Sequence, residues 1–166
     1  MVSIIIGNII ALIASILMVY SGMLKQKKKI LYVQTVQIGL SVISNIVLGG
    51  ITGAIINAIS MIRNIICYKE KLGTREKLII TILAVSLSLM FNNLGLIGLF
   101  PVISMVTYVW LMNVKDVRKF KILIAFTMLM WLIYDVIIKS YTSALFDFAN
   151  LIANVATAFQ IRKSKI

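Results

Sequence analysis

Seven apolar stretches, roughly 2–24, 30–48, 52–68, 77–92, 96–113, 121–138 and 142–161, take up nearly all of this 166-residue chain. A helix needs ~20 mostly apolar residues to cross a bilayer, or ~17 where the fit is tight. Each stretch is therefore a candidate span, and the few residues between them leave no room for a soluble domain. Hydrophobic residues make up 61% of the chain and charged residues 13%, with a mean hydropathy of +1.03. A soluble domain is ~45–50% apolar and has the polar side chains to coat itself; this chain has too few. The reading is an all-α integral membrane protein in a single membrane domain, residues 1–166.

The breaks between stretches carry turn or charge signals: the run Lys25-Gln-Lys-Lys-Lys29, Gly49-Gly50, the region of Gly73, Asn92-Asn93, and Lys115 to Lys121. Pro101 falls in the first turn of the fifth stretch, where its missing N–H was unpaired anyway. The fourth stretch is short, and merging it with the fifth would give six spans. Charge decides between the two. Of the 17 Lys and Arg, four lie in 25–29, four in 69–77, four in 115–121 and three after Gln160, whereas the alternate connections hold only Lys139. Positively charged short loops stay on the cytoplasmic side. Seven spans put every basic loop on one side, with the N-terminus outside and the C-terminus in the cytoplasm; six spans break the pattern. This placement also accounts for the net charge of +12 without nucleic acid as a partner. The first span has no basic segment before it and reads as a retained helix.

Sliding the chain on itself without a gap brings residues 25–64 over 115–154, an offset of 90. Lys25/Lys115, Lys29/Lys119, Ile43/Ile133, Thr52/Thr142, Ala54/Ala144, Ile62/Ile152 and Asn64/Asn154 coincide, and Asn45/Asp135 and Asn57/Asp147 differ only by amide for carboxylate. Basic loop falls on basic loop and three spans on three spans. The expected organisation is a first three-helix repeat at 2–68, a linker helix at 77–92 and a second repeat at 96–161. An odd linker is what two halves pointing the same way require, a parallel repeat about an axis along the membrane normal.

Polar side chains inside a span are costly unless they face a partner or a watery cavity. Asn57, Ser60 and Asn64 share one face of the third span, and Asp147, Asn150 and Asn154 share one face of the seventh at the same spacing. Across a pseudo-two-fold axis these stripes face each other. The second and sixth spans add Gln34, Gln37, Ser41 and Asn45, and Thr127, Trp131, Tyr134 and Asp135. Such groups serve either as hydrogen-bonding glue between helices or as the lining of a cavity. Two matched stripes that include a carboxylate favour the cavity. Asp135, four residues from Lys139, fits equally well at the headgroup level, with Asp147 deeper. Arg63, six residues before Lys69, either snorkels to the cytoplasmic surface or bounds the inner end of the cavity and pairs with Asp147 or a substrate anion. Trp131, mid-span, is placed to stack on a ligand, while Tyr141 and Trp110 fit interfacial belts.

The stretch Gly53-Ala-Ile-Ile-Asn57-Ala-Ile, then Arg63-Asn64, Leu99-Phe-Pro101-Val-Ile-Ser104 and Trp131-Leu-Ile-Tyr134-Asp135 resembles the YgjV-type bacterial inner membrane proteins, which stand beside the SWEET and semiSWEET sugar carriers (PQ-loop, MtN3-like) and the PnuC-type vitamin transporters. The likeness covers nearly the whole chain. It implies seven transmembrane helices in a 3+1+3 SWEET-like parallel repeat, with a substrate held near mid-membrane by the third and seventh helices, so that Asn57, Asn64, Asp147 and Asn154 become binding positions. Those carriers hinge on prolines in both halves, and here Pro101 stands alone.

The expected function is carriage of a small polar metabolite by alternating access. Asn57, Ser60, Asn64, Asp147, Asn150, Asn154 and Trp131 would contact the substrate, and Arg63, Asp135 and Asn45 would act in gating or as charge partners. A ligand-sensing or partner-binding membrane subunit that does not transport is the alternative. Histidine is absent and Cys67 is the single cysteine, which removes His-based acid–base chemistry and Cys/His zinc sites. No enzyme activity, metal or cofactor is expected. The partners are the lipid bilayer and a small polar solute, and the lipid-facing pattern is compatible with a monomer or a homo-oligomer.

Overall fold

The computed structural model describes residues 1–23, 27–69, 72–111, 114 and 116–163. Of the basic positions read from the sequence, Lys25, Lys71, Lys115 and Lys165 lie outside the described residues. The described chain forms seven α-helices: α1 (Val2–Met23), α2 (Lys27–Val47), α3 (Ile51–Lys69), α4 (Thr74–Met90), α5 (Phe100–Leu111), α6 (Val117–Ile137) and α7 (Tyr141–Lys163). Three of them, at Val2–Ser21, Ile51–Tyr68 and Arg118–Ile137, are long and apolar enough to cross a membrane, and Leu31–Val47 and Gly95–Leu111 are shorter apolar helical segments.

The expected bounds agree within a few residues except at the fifth span. There a 3-10 turn over Gly95–Leu99 precedes α5. Asn92 builds it: its amide donates to the Gly95 carbonyl at 2.7 Å, its Oδ1 accepts from Leu94 N at 3.0 Å, and Gly95 takes φ +57°. Pro101 follows in the first turn of α5. This break separates α4 from α5, so seven helices form and not six. At the start of α6, Asp116 accepts from the N–H groups of Arg118 and Lys119, two of the donors a helix N-terminus leaves open.

The helices form a closed ring. α1 packs on α2, α2 on α3, α3 on α5, α5 on α6, α6 on α7, and α7 returns to α1. α4 packs only on α3, α5 and the turn before α5. Its Ile80 and Ala84 join Ile56 and Ile59 of α3 and Val102, Met105 and Val109 of α5 in an apolar cluster. One end of the bundle gathers the N-terminal turn of α1 and the connections after α2, α4 and α6. Asn8 donates to the Lys139 carbonyl and accepts from Thr142 N, both at 2.9 Å, and Asn93 donates to the Gly49 carbonyl at 2.7 Å.

The turns after α2 and α6 repeat one another bond for bond. Gly49 and Lys139, 90 positions apart, both take left-handed backbone, φ 77° and 63°. Gly49 N donates to Ile46 O and Gly50 N to Asn45 O; Lys139 N donates to Val136 O and Ser140 N to Asp135 O. Each is a Schellman closure, in which a left-handed residue lets two N–H groups return to the open carbonyls of the last helical turn.

Candidate functional site

A cavity of about 310 Å³ lies inside the ring, lined from α1, α2, α3, α5, α6 and α7 and by nothing from α4. Seven pairs of its lining residues stand 90 positions apart: Ser15 and Met105, Met18 and Tyr108, Gln37 and Thr127, Ile38 and Met128, Ser41 and Trp131, Asn45 and Asp135, Asn57 and Asp147. The first two pairs carry the offset into α1 and α5, beyond the stretch in which the sequence alone displayed it.

Of the residues singled out from the sequence, Asn45, Asn57, Ser60, Arg63, Trp131, Asp135 and Asp147 line the cavity. Asn57 makes no hydrogen bond among the described residues, and neither does the indole N–H of Trp131, whose ring stands edge-on to Tyr134 at 5.8 Å. Both leave polar groups free to meet a solute. Asn45 is 6% exposed; its amide donates to the Ser41 carbonyl at 2.9 Å, while its Oδ1 is buried without a partner.

Three of the expected residues do not line it. Asn150 and Asn154 donate to the carbonyls of Phe146 and Asn150, four residues back on their own helix, at 3.0 and 2.8 Å. The C-terminal half of α7 thus satisfies its amides locally, and of the expected stripe on α7 only Asp147 enters the cavity, with Ser143 beside it on the N-terminal half. Asn64 is buried beneath Arg63 and holds it: its Oδ1 accepts from Nη2 at 3.1 Å and from Nε at 3.4 Å.

Two positions left open are resolved. Asp135 is 4% exposed and lines the cavity, and its carboxyl lies against that of Asp147. Asp135 lies in the last turn of α6 and Asp147 in the second turn of α7, so both sit toward the Lys139 end of that hairpin. Arg63 does not snorkel outward. A helical side chain leans toward the N-terminus of its helix, which for α3 is the end away from Lys69. Its guanidinium lies 5.1 Å from the centre of the Tyr108 ring, and Nη1 is 3.8 Å from Met105 Sδ, the atom that Ser60 Oγ also meets at 3.4 Å.

Tyr134, packed against the lining residue Trp131, is fully buried, and its hydroxyl accepts from Gly53 N at 2.8 Å. Sequence reasoning passed over Tyr108, Met105, Ser15 and Ser143. Extending the 90-residue offset to α1 and α5 would have exposed the first three, since Met18 aligns with Tyr108 and Ser15 with Met105.

A family match runs from residue 5 to residue 165, nearly the whole chain. The chain belongs to the YgjV-type bacterial inner membrane proteins. No curated protein and no solved structure matches it. For a YgjV-type protein the distribution of side chains is the one a bilayer demands. Large apolar residues are exposed on all seven helices, among them Ile5, Ile16, Val36, Ile62, Ile82, Trp110, Phe126 and Phe148, while Ser44, Asn45, Thr52, Ser60, Asn64, Ser104, Thr127, Asp135 and Asp147 are buried. Water-soluble domains place these classes the other way round; lipid outside and a polar interior fit this arrangement.

Proposed function

We propose that this YgjV-type protein is a carrier of a small polar solute, with two three-helix halves, α1–α3 and α5–α7, rocking about the central cavity and α4 serving as the linker that lets both halves point the same way. The observation that carries this reading is the cavity lining itself: seven pairs of residues 90 positions apart, contributed equally by the two halves. The repeated Schellman turns support the same duplication. A polar cavity on the seam between repeats is where alternating-access proteins hold their substrate. In this reading the arrangement is the 3+1+3 parallel repeat of the SWEET-like carriers, the end bearing Lys29, Arg75 and Lys119 faces the cytoplasm, and the protein is not an enzyme.

Asn57 and Trp131 supply unpaired hydrogen-bonding groups to the solute, and Asp147 orients it. Uptake into proteoliposomes across a panel of radiolabelled metabolites tests this. Asp147→Asn and Asn57→Ala are each expected to cut flux of the transported solute at least tenfold, about 1.4 kcal/mol of lost binding or barrier lowering. Unchanged flux in both variants removes the site.

One observation favours a sensing or partner-binding subunit instead: Pro101 lies in the first turn of α5 and no helix interior contains a proline to hinge it. A stoichiometric complex with a membrane partner, together with absence of flux for every solute, would select that reading.

A further inference from the structure

The cavity is built on a repeat, yet its charges are not repeated. At the 90-residue offset the carboxyls of Asp135 and Asp147 correspond to the amides of Asn45 and Asn57, and Arg63 corresponds to Ala153. The result is a space with acid at one end and base at the other. Arg63 finds only neutral partners among the described residues: the Oδ1 of Asn64, the sulfur of Met105 and the face of Tyr108. A guanidinium carries five N–H donors, and a cation withdrawn from water without a counterion is costly. An anionic group brought in by a ligand supplies the missing partner, and guanidinium matches the geometry of carboxylate and phosphate.

The other end needs the opposite charge. Two carboxyls in hydrogen-bonding contact are held together by a shared proton or by a cation between them, and no Lys or Arg among the described residues pairs with Asp135 or Asp147. Asn45, the counterpart of Asp135 at the 90-residue offset, lines the cavity with them. A ligand ammonium brings up to three donors to this cluster. The charges are also too far apart to neutralise each other directly. Asp147 stands level with Asn57, and the Arg63 guanidinium lies near Ser60 and Met105, so their separation along the axis is on the order of 5–9 Å at 1.5 Å per residue.

We propose that the cavity takes a short zwitterion, its ammonium at Asp135 and Asp147 and its carboxylate or phosphate on Arg63 against the Tyr108 ring. This rests on the reading of the cavity as a solute site and names the class of solute. At that separation an amino acid whose ammonium and carboxylate stand ~3–4 Å apart reaches both ends through one hydrogen bond of ~2.8 Å at each. The side wall at Trp131 accepts the methylene chain.

The test is calorimetric binding to the purified chain in lipid nanodiscs, with 2-aminopentanoate, pentanoate, pentylamine and glucose as probes. The zwitterion should bind at least about tenfold more tightly than either singly charged probe. Arg63→Gln should remove that advantage and abolish pentanoate binding while leaving pentylamine unchanged, and Asp147→Asn should do the reverse. No binding of 2-aminopentanoate, equal affinity for all three chain compounds, or tighter binding of glucose would each overturn the proposal. If Arg63→Gln does not fold, the comparison of probes on the unaltered chain decides by itself. Tight zwitterion binding without flux in proteoliposomes would remove the carrier reading and leave this one standing.

Discussion

The hydroxyl of Tyr134 and the backbone N–H of Gly53 are joined at 2.8 Å, so a side chain of α6 satisfies a donor in the first turn of α3. That donor has no partner within its own helix, and Tyr134 is buried completely. The contact ties the two halves together at the end of the cavity where the hairpins turn.

Tyr134→Phe should therefore destabilise the protein by about 1–3 kcal/mol, the cost of a buried N–H left unsatisfied. Gly53→Ala should cost more, because a Cβ there would sit 2.6 Å from Tyr134 Cε1, 2.7 Å from its Oη and 2.8 Å from Asn45 Oδ1, all on buried side chains with no room to retreat. Unfolding in mixed micelles with increasing SDS measures both. A Tyr134→Phe variant as stable as the parent would show that the bond contributes nothing.

The paired turns give opposite signs at equivalent positions. Gly49→Ala places a side chain on left-handed backbone with nothing within 4 Å of the new Cβ, so its cost is purely conformational, about 1 kcal/mol. Lys139→Gly relieves the same conformation and should stabilise by a comparable amount, less the entropy glycine adds to the unfolded chain. The same unfolding assay reads the pair, and two shifts of the same sign would contradict the shared geometry.

Asn8 closes the ring. Its side chain serves the Lys139 carbonyl and Thr142 N together, whereas Asn93 serves only the Gly49 carbonyl on the other seam. Asn8→Ala should destabilise by about 1–3 kcal/mol and Asn93→Ala by less. Disulfide trapping between cysteines introduced on α1 and α7 should also slow in the Asn8 variant relative to the parent.

Trp131 offers the cavity its ring face and an unbonded N–H. Trp131→Phe should keep the face and lose the donor, lowering solute affinity severalfold, and Trp131→Ala should lower it further, by about 1–3 kcal/mol in total. Binding of the solute found in the uptake panel provides the measurement. Equal affinity in all three proteins would place the solute elsewhere.

The helices were legible to within a few residues because their causes are local: apolar runs, Gly49 and Asn92 at the breaks, Pro101 in the first turn of a helix. The core of the site was legible as well, since the 90-residue offset pairs Asn45 with Asp135 and Asn57 with Asp147, all four of which line the cavity. The offset failed along the C-terminal half of α7. Asn150 and Asn154 share the spacing of Ser60 and Asn64, but an amide that reaches a carbonyl four residues back satisfies itself without crossing to another helix.

Sequence by itself determined which segments are helical, where they turn, that polar atoms recur at matched positions, and that positive charge collects in alternate connections, because each depends on residues close together along the chain. Only the tertiary structure decided that Asp135 meets Asp147, that Arg63 turns inward onto Tyr108, and that α4 stays outside the ring. Those outcomes depend on how each helix is rotated about its own axis, and that rotation is set by packing against neighbours distant in sequence.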